Sequence, residues 1–336
     1  MTDSGDLLIA APAPGAATVA LQWLAAARAA AERLARAEDD EALHDFRVAL
    51  RRLRSTLRLY RPELGRSVAA RMRRSVKKMA RATNAARDTE VQLAWLQGAR
   101  LRLTAPERLA RSWWGNRLTE RRDQGYQSVR DRTLATFRTT APLLERALVR
   151  VVSGGSNRDV GGFARVTGER LQTTAQALGV ALGKIRTVTD TAEIHAARIA
   201  GKRLRYLLEP VAPALPGGRA AIRQMKRFQD EFGLLNDTFV RLAEIEDAVR
   251  AAGAEQARVA LLAALDGRTT KPKAEDNARG LVGIGRIVQR DARRRFRAVA
   301  RDYLGSGGDR FVRALSRLGV QLMKQQGSRP GQEPTP

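Results

Sequence analysis

Apolar residues recur along most of this chain at helical spacing, and the clearest stretch runs from Leu43 to Tyr60. There Leu43, Phe46, Leu50, Leu53, Leu57 and Tyr60 follow one another at intervals of 3, 4, 3, 4 and 3. At about 100° per residue that spacing places them on one stripe of an α-helix. Applied to the whole chain, the same criterion predicts helices at 18–37, 41–61, 65–97 and 106–152, the last broken around Gly115 or Gly125. Further helices are predicted at 163–186, 191–212, 217–252, 255–265, 276–304 and 309–324. The apolar residues are chiefly Ala, Leu and Val without long β-branched runs, and aromatics make up only 5%, which favours helices over strands. The expected fold class is all-α.

The strongest interior helix breaker is Ser153-Gly154-Gly155-Ser156-Asn157 followed by Gly161-Gly162. It divides the chain into an N-terminal extension 1–17, a first helical half 18–152, a linker 153–162, a second helical half 163–325 and a disordered Gly/Pro/Gln tail 326–336. The halves repeat one another. His44-Asp45-Phe46-Arg47 leading to Arg51-Arg52-Leu53-Arg54 corresponds, at an offset of 151, to His195-Ala196-Ala197-Arg198 leading to Lys202-Arg203-Leu204-Arg205. Val76-Lys77-Lys78-Met79 leading to Arg87-Asp88 corresponds, at an offset of 149, to Met225-Lys226-Arg227-Phe228 leading to Asn236-Asp237. Two ordered matches at nearly one offset read as a tandem duplication, each half a helical bundle.

Beside the apolar stripe of the first repeated helix lies a second stripe, about 100° round, formed by His44, Arg47, Arg51, Arg54 and Arg58. Its counterpart is His195, Arg198, Lys202 and Arg205, next to Ile194, Leu204 and Leu208. Successive rungs stand roughly 5 Å apart along the axis, so several can meet successive groups of an extended anion. Between 44 and 58 the only acidic residue is Asp45, and from 195 to 208 there is none. Uncompensated like charges at i,i+4 destabilise a helix by a few tenths of a kcal/mol per pair. Retaining them twice at equivalent positions favours a bound anion over a merely solvated face. Each His opens its stripe, either to touch the anion or to position the neighbouring Arg. Arg52 and Arg203 project to the other side of the His, where they flank the groove or pair with acidic groups. The next helix carries Arg74, Lys77, Arg81, Asn84 and Asp88, matched by Arg223, Lys226, Asp230, Gly233 and Asp237. Arg74, Lys77, Arg223 and Lys226 join the candidate binding set, while Asp88 and Asp237 are expected to fix an Arg or the His by charge-assisted hydrogen bonds.

Composition sharpens the expectation of an anionic partner. The formal net charge is +26, from 61 Lys plus Arg against 35 Asp plus Glu, far beyond what solubility requires. Of the basic residues 53 are Arg, the side chain whose planar fork holds phosphate oxygens bidentately. With no Cys and only two His, disulfide frameworks, zinc ribbons, thiolate nucleophiles and multi-His metal sites drop out, and no metal or cofactor is expected. The uncharged stretch Leu7 to Ala27 is interrupted by Pro12, Pro14 and Gly15 and preceded by Asp3 and Asp6. Neither a signal peptide nor a membrane span is therefore expected, and a cytoplasmic location is the default.

These residues resemble the CHAD domain, the conserved histidine α-helical domain. The likeness rests on His44-Asp45-Phe46-Arg47 with Arg51-Arg52-Leu53-Arg54, on His195 through Lys202-Arg203-Leu204-Arg205-Tyr206, and on Phe228-Gln229-Asp230 through Gly233 to Asn236-Asp237, and it spans about residues 18–325. It implies two four-helix bundles related by pseudo-twofold symmetry around a basic central channel. It further implies that the channel binds long-chain inorganic polyphosphate and can target proteins to polyphosphate granules. Carried over position by position, the channel residues would be His44, Arg47, Arg51, Arg54, Lys77, His195, Arg198, Lys202, Arg205 and Lys226. The halves differ where Asn84 faces Gly233 and Arg81 faces Asp230 in the alignment, which implies unequal contributions.

Such domains are often joined to a triphosphate tunnel metalloenzyme barrel with a Glu-x-Glu-x-Lys signature. Here Glu244-Ile245-Glu246 continues as Asp247-Ala248, so the Lys is missing, and no strand-rich region is predicted. Walker loops and Gly-x-Ser-x-Gly elbows are absent from the sequence, and only Asp88 and Asp237 could carry a metal for phosphoryl transfer. No catalytic residue and no enzymatic activity are expected. The alternative is a nucleic-acid-binding basic helical protein, but no aromatics interleave with the basic stripes as stacking platforms. Trp113-Trp114 lies outside the repeats and reads as packing or an interaction site. A granule-organising protein that recruits partners through its termini is compatible with polyphosphate binding.

Overall fold

A computed structural model describes residues 4–36, 41–99, 101–154, 162–266 and 277–324. Its helices are α1 (Ser4–Ile9), α2 (Pro12–Arg36), α3 (Ala42–Leu59), α4 (Arg61–Leu64), α5 (Ala70–Gly98) and α6 (Ala105–Ser128). They continue as α7 (Leu134–Ser153), α8 (Gly162–Lys184), α9 (Thr191–Leu208), α10 (Gly218–Leu265), α11 (Asn277–Tyr303) and α12 (Ser306–Lys324). A π-helical turn, Val129–Thr133, joins α6 to α7, and no strand occurs among the described residues. The chain is all-α.

The apolar stripe of α3 becomes the centre of the core: Leu43, Phe46, Leu50, Leu53, Leu57 and Tyr60 are each no more than 3% exposed. Ile194, Leu204 and Leu208 of α9 are likewise buried. Helices α2, α3, α5 and α7 pack together, as do α8, α9, α10 and α12. These groups do not stand apart, because one continuous core runs through both. Tyr60 stacks on Phe163 with ring centroids 5.2 Å apart, and its hydroxyl shares a buried 2.7 Å hydrogen bond with the Thr167 hydroxyl. Nearby, Arg170 pairs with Glu63 at 2.7 Å. Gly201 lets α9 approach α10 closely, since a Cβ there would collide with the Phe228 ring.

A separate core forms where α6 and α11 pack together and against the C-terminal parts of α5 and α10. It gathers Leu93, Leu96, Trp114, Leu118, Ile245 and Ile284. Trp114 is thus a packing residue, and its neighbour Trp113 donates to Glu255 at 3.3 Å. At 48 residues α10 serves both cores, with Met225, Phe228 and Phe232 in one and Ile245, Ala248 and Ala252 in the other.

Several boundaries differ from the periodicity reading. Helix α2 starts at Pro12, and Leu7, Ala16 and Ala17 are buried, so much of the expected 1–17 extension is packed helix. Proline is favourable in a first turn, where its missing N–H is not needed. The break expected at Gly115 or Gly125 falls instead at the π turn, and α10 continues through Gly253 where two helices were expected. A helical glycine costs only about 1 kcal/mol relative to Ala, which flanking helix formers readily offset. Positions 155–161 of the expected linker and the tail 326–336 lie outside the described residues.

Candidate functional site

The repeated helices α3 and α9, with α5 and α10 beside them, enclose a cavity of about 440 Å³. Its lining includes Arg47, Arg51, Arg54 and Arg58 from α3, and Arg198, Lys202 and Arg203 from α9. Asn84 and Asp88 of α5, and Asn236 and Asp237 of α10, also reach it. Seven cationic side chains therefore face two carboxylates. The helical period explains the convergence: the polar stripe adjoining each apolar stripe is turned inward when the two halves close on each other.

Protein surroundings leave most of these cations poorly solvated, Arg58 being exposed. Burial, reinforced by Arg198, Arg51 and Arg47, holds the Lys202 ammonium far below the usual lysine range, down to about 7. Burial and the nearby Arg51 and Arg87 bring Arg47 down to about 10, still charged at neutral pH. Arg198 is lowered chiefly by burial, against the pull of Asp237. Burial lowers Arg54 too, helped by Arg58 and Arg81, and lowers Arg203, helped by Arg58. Asp88 keeps some surface open to the cavity, yet burial raises its carboxyl, with Arg47 opposing and Asp237 adding to the rise.

No carboxylate among the described residues lies within ion-pair distance of Arg47, Arg51, Arg54, Arg58, Arg198, Lys202 or Arg203. The buried Nε atoms of Arg47, Arg51 and Arg198 find no acceptor. A buried donor left unmade carries a penalty of roughly 1–3 kcal/mol, more when charged. An anion with several oxygens would supply the acceptors that these donors lack.

The other sequence-selected residues are dispersed. His195 lines the cavity, and its Nδ1 is 3.3 Å from Asn236 Oδ1, so the amide next to Asp237 is its partner. His44 stands outside the lining, lowered by burial and then by Arg87 and Arg47. Arg74, Lys77, Arg223 and Lys226 are exposed and do not line the cavity; they lie on the same helical rows as Asp88 and Asp237, two or more turns towards the N-terminal ends of α5 and α10. Arg205 turns to Glu209, its Nε 3.0 Å from Oε1 but out of hydrogen-bond alignment. Arg52 shares that carboxylate, donating through Nη2 at 3.3 Å, and lies over the Trp23 ring at 4.4 Å. Arg203, set aside as a supporting residue, is part of the lining.

Three further residues were not among those predicted for the site, although Tyr206 closes the motif quoted for the family likeness. Tyr206 walls the cavity, with the Arg51, Arg52 and Arg205 guanidiniums 6.0, 5.5 and 5.7 Å from its ring centre. Gln92 lines the cavity and accepts a 2.9 Å hydrogen bond from Arg241 Nε. Arg241 is buried, lies over Trp95 at 4.1 Å, and is brought down by burial to about 10. Gln92 and Arg241 follow Asp88 and Asp237 by four residues, so extending the same helical rows by one rung would have found them.

Fold and cavity together define an all-α protein with a cation-lined cleft between two sequence-related pairs of helices. The chain belongs to the CHAD domain family, whose profile matches residues 18–246. Among solved structures it is similar to the CHAD domain from the plant Ricinus communis, with 20% identity and a TM-score of 0.58, covering 92% of this chain and 93% of that one. PptA from Streptomyces chartreusis aligns at 17% identity over 95% of this chain and 99% of its own, with a TM-score of 0.45 that supports no inference. No curated protein sequence matches. No described helix is long and apolar enough to cross a membrane.

Proposed function

We propose that the cleft binds inorganic polyphosphate, and that the protein associates with polyphosphate granules through it. The observation that carries this reading is the set of buried Arg47, Arg51 and Arg198 Nε donors without acceptors, beside a Lys202 ammonium that its neighbours destabilise. An unbranched polymer with an anionic oxygen on every unit supplies the missing acceptors and charge together. A volume of about 440 Å³ suits a slender chain of phosphates and is far too small for a duplex. The arginines ranged round Tyr206 also leave its faces poorly placed to stack on a base. Binding without turnover is part of the proposal, since only Asp88 and Asp237 offer carboxylates to the lining.

The test is competition at near-physiological salt: labelled long-chain polyphosphate against DNA, RNA and short phosphates, repeated with Arg51→Ala plus Lys202→Ala. Polyphosphate should outcompete both nucleic acids, and the double variant should lose most of the affinity. Equal competition by DNA, or an unchanged double variant, would overturn the assignment. Release of orthophosphate in the presence of Mg²⁺ or Mn²⁺ would overturn the non-catalytic part.

A further inference from the structure

Beyond the residues matched by the family profile, α11 and α12 carry twelve Lys or Arg against three Asp. The charge on α11 is ordered. Its buried face consists of Leu281, Ile284, Val288, Ala292 and Val299, with Gly280. On the opposite side, Arg286, Arg290, Arg293 and Arg297 are all exposed, at spacings of 4, 3 and 4. That is the rung pattern of the α3 stripe, here turned to solvent and standing roughly 180° from the core face at 100° per residue. These four rungs cover roughly 16 Å of helix, from the 1.5 Å rise per residue.

The usual explanation for a charged helical face is a set of acidic partners one turn away. That explanation fails here. Asp291 is taken by Arg294 at 2.6 Å and Arg295 at 2.8 Å, and Asp302 by Arg301 at 2.7 Å. Among the described residues no carboxylate lies within ion-pair distance of Arg286, Arg290, Arg293 or Arg297.

We infer that this arginine row on α11 is a second polyanion-binding surface, separate from the cleft, and that its ligand is a single extended strand of polyphosphate. A straight line of cations on one ridge matches one anionic strand, whereas a duplex presents two phosphate rails on either side of a groove. Single-stranded nucleic acid is held largely by aromatic stacking, and the exposed face of α11 carries no aromatic residue; Phe296 and Tyr303 are half-buried against the core. The row also differs from the cleft in its response to salt. Exposed charges are screened beyond about 8 Å at physiological ionic strength, while enclosed ones are screened much less.

The experiment is calorimetric titration of the full chain with a short polyphosphate of defined length. Wild type should bind two chains, the second more weakly and with the steeper salt dependence. Replacing the row by Arg286→Gln, Arg290→Gln, Arg293→Gln and Arg297→Gln should weaken the second class at least tenfold and leave the first unchanged. The corresponding four-fold Arg→Lys variant should retain the second chain. Arg51→Ala plus Lys202→Ala should do the reverse, removing the tight class and keeping the weak one, so failure of the cleft assignment and failure of the row are read separately. The inference is overturned if wild type takes only one chain, if the Gln variant keeps the second class, or if RNA or duplex DNA binds the row more tightly than polyphosphate.

Discussion

Under the proposed function, the depressed Lys202 ammonium would make polyphosphate binding depend on pH in a calculable way. In the empty cleft its pKa is about 7 against an ordinary 10.5, so half the molecules lack this proton at neutrality. A bound polyanion replaces the repulsion of Arg198, Arg51 and Arg47 with attraction and draws the value back towards the ordinary range, so binding takes up a proton. With the complex restored to an ordinary lysine value, linkage gives a loss of affinity of roughly 50-fold between pH 7 and pH 9, and little change below pH 6. The empty protein should show the opposite trend. A base whose folded pKa is depressed imposes its full penalty below that pKa, and the penalty is relieved as pH rises towards the unfolded value. Stability of the unliganded chain should therefore increase above pH 7 as far as Lys202 is concerned. Fluorescence anisotropy with end-labelled long chains, whose inner phosphates do not titrate here, measures the first trend at fixed ionic strength. Calorimetry in buffers of different ionisation enthalpy measures the proton directly. Lys202→Arg should bind at pH 7 and lose the slope, because guanidinium stays charged throughout. A flat wild-type profile, or a Lys202→Arg slope equal to that of wild type, would refute the reasoning.

Other consequences concern the scaffold. Glu209→Gln strands Arg52 and Arg205, whose side chains are 16% and 14% exposed, and should cost about 3 kcal/mol in urea unfolding. Tyr60→Phe leaves the buried Thr167 hydroxyl without its partner and should cost roughly 1–3 kcal/mol, read from the denaturation midpoint. Gly201→Ala drives a methyl into Phe228 and should cost roughly 1–3 kcal/mol, with a weaker cleft as α9 is pushed outward; an unchanged melting temperature would contradict the close approach.

What the sequence made legible followed from the helix period alone. The α3 core stripe and the four rungs Arg47, Arg51, Arg198 and Lys202 share faces fixed by spacing, whatever the tertiary structure. Which polar flank turns towards the other half depends on how the halves dock, and no single-helix pattern contains that. Arg203 and Arg205 lie on either side of Leu204, and only the docked structure puts Arg203 in the lining and Arg205 on Glu209. Here a signal was present. At the offset of 151, Arg58 corresponds to Glu209, so the ladder of the second half ends in an acid four residues after Arg205. Arg74, Lys77, Arg223 and Lys226 illustrate the converse: they share helical rows with the lining residues Asp88 and Asp237, but the pattern does not say how far along a row the cavity extends. The π turn, packed against α5, α6 and α7, and the separate core around Trp114, where α5, α6, α10 and α11 meet, were not legible either, because both depend on tertiary contacts.

The hydrogen bond between Gln92 and Arg241 has a consequence for how such a chain can evolve. The two positions are equivalent at the offset of 149, yet they meet each other across the cleft. In a dimer of identical subunits, a position that meets its own equivalent must pair like with like, guanidinium against guanidinium or amide against amide. With both positions on one polypeptide that constraint is absent, and here Arg241 donates while Gln92 accepts. The position equivalent to Arg58 is likewise an acid, Glu209, which pairs with Arg52 of the first half and Arg205 of the second. A homodimer built from either half would lose both pairs, because Gln92 and Arg52 find their partners, Arg241 and Glu209, in the other half.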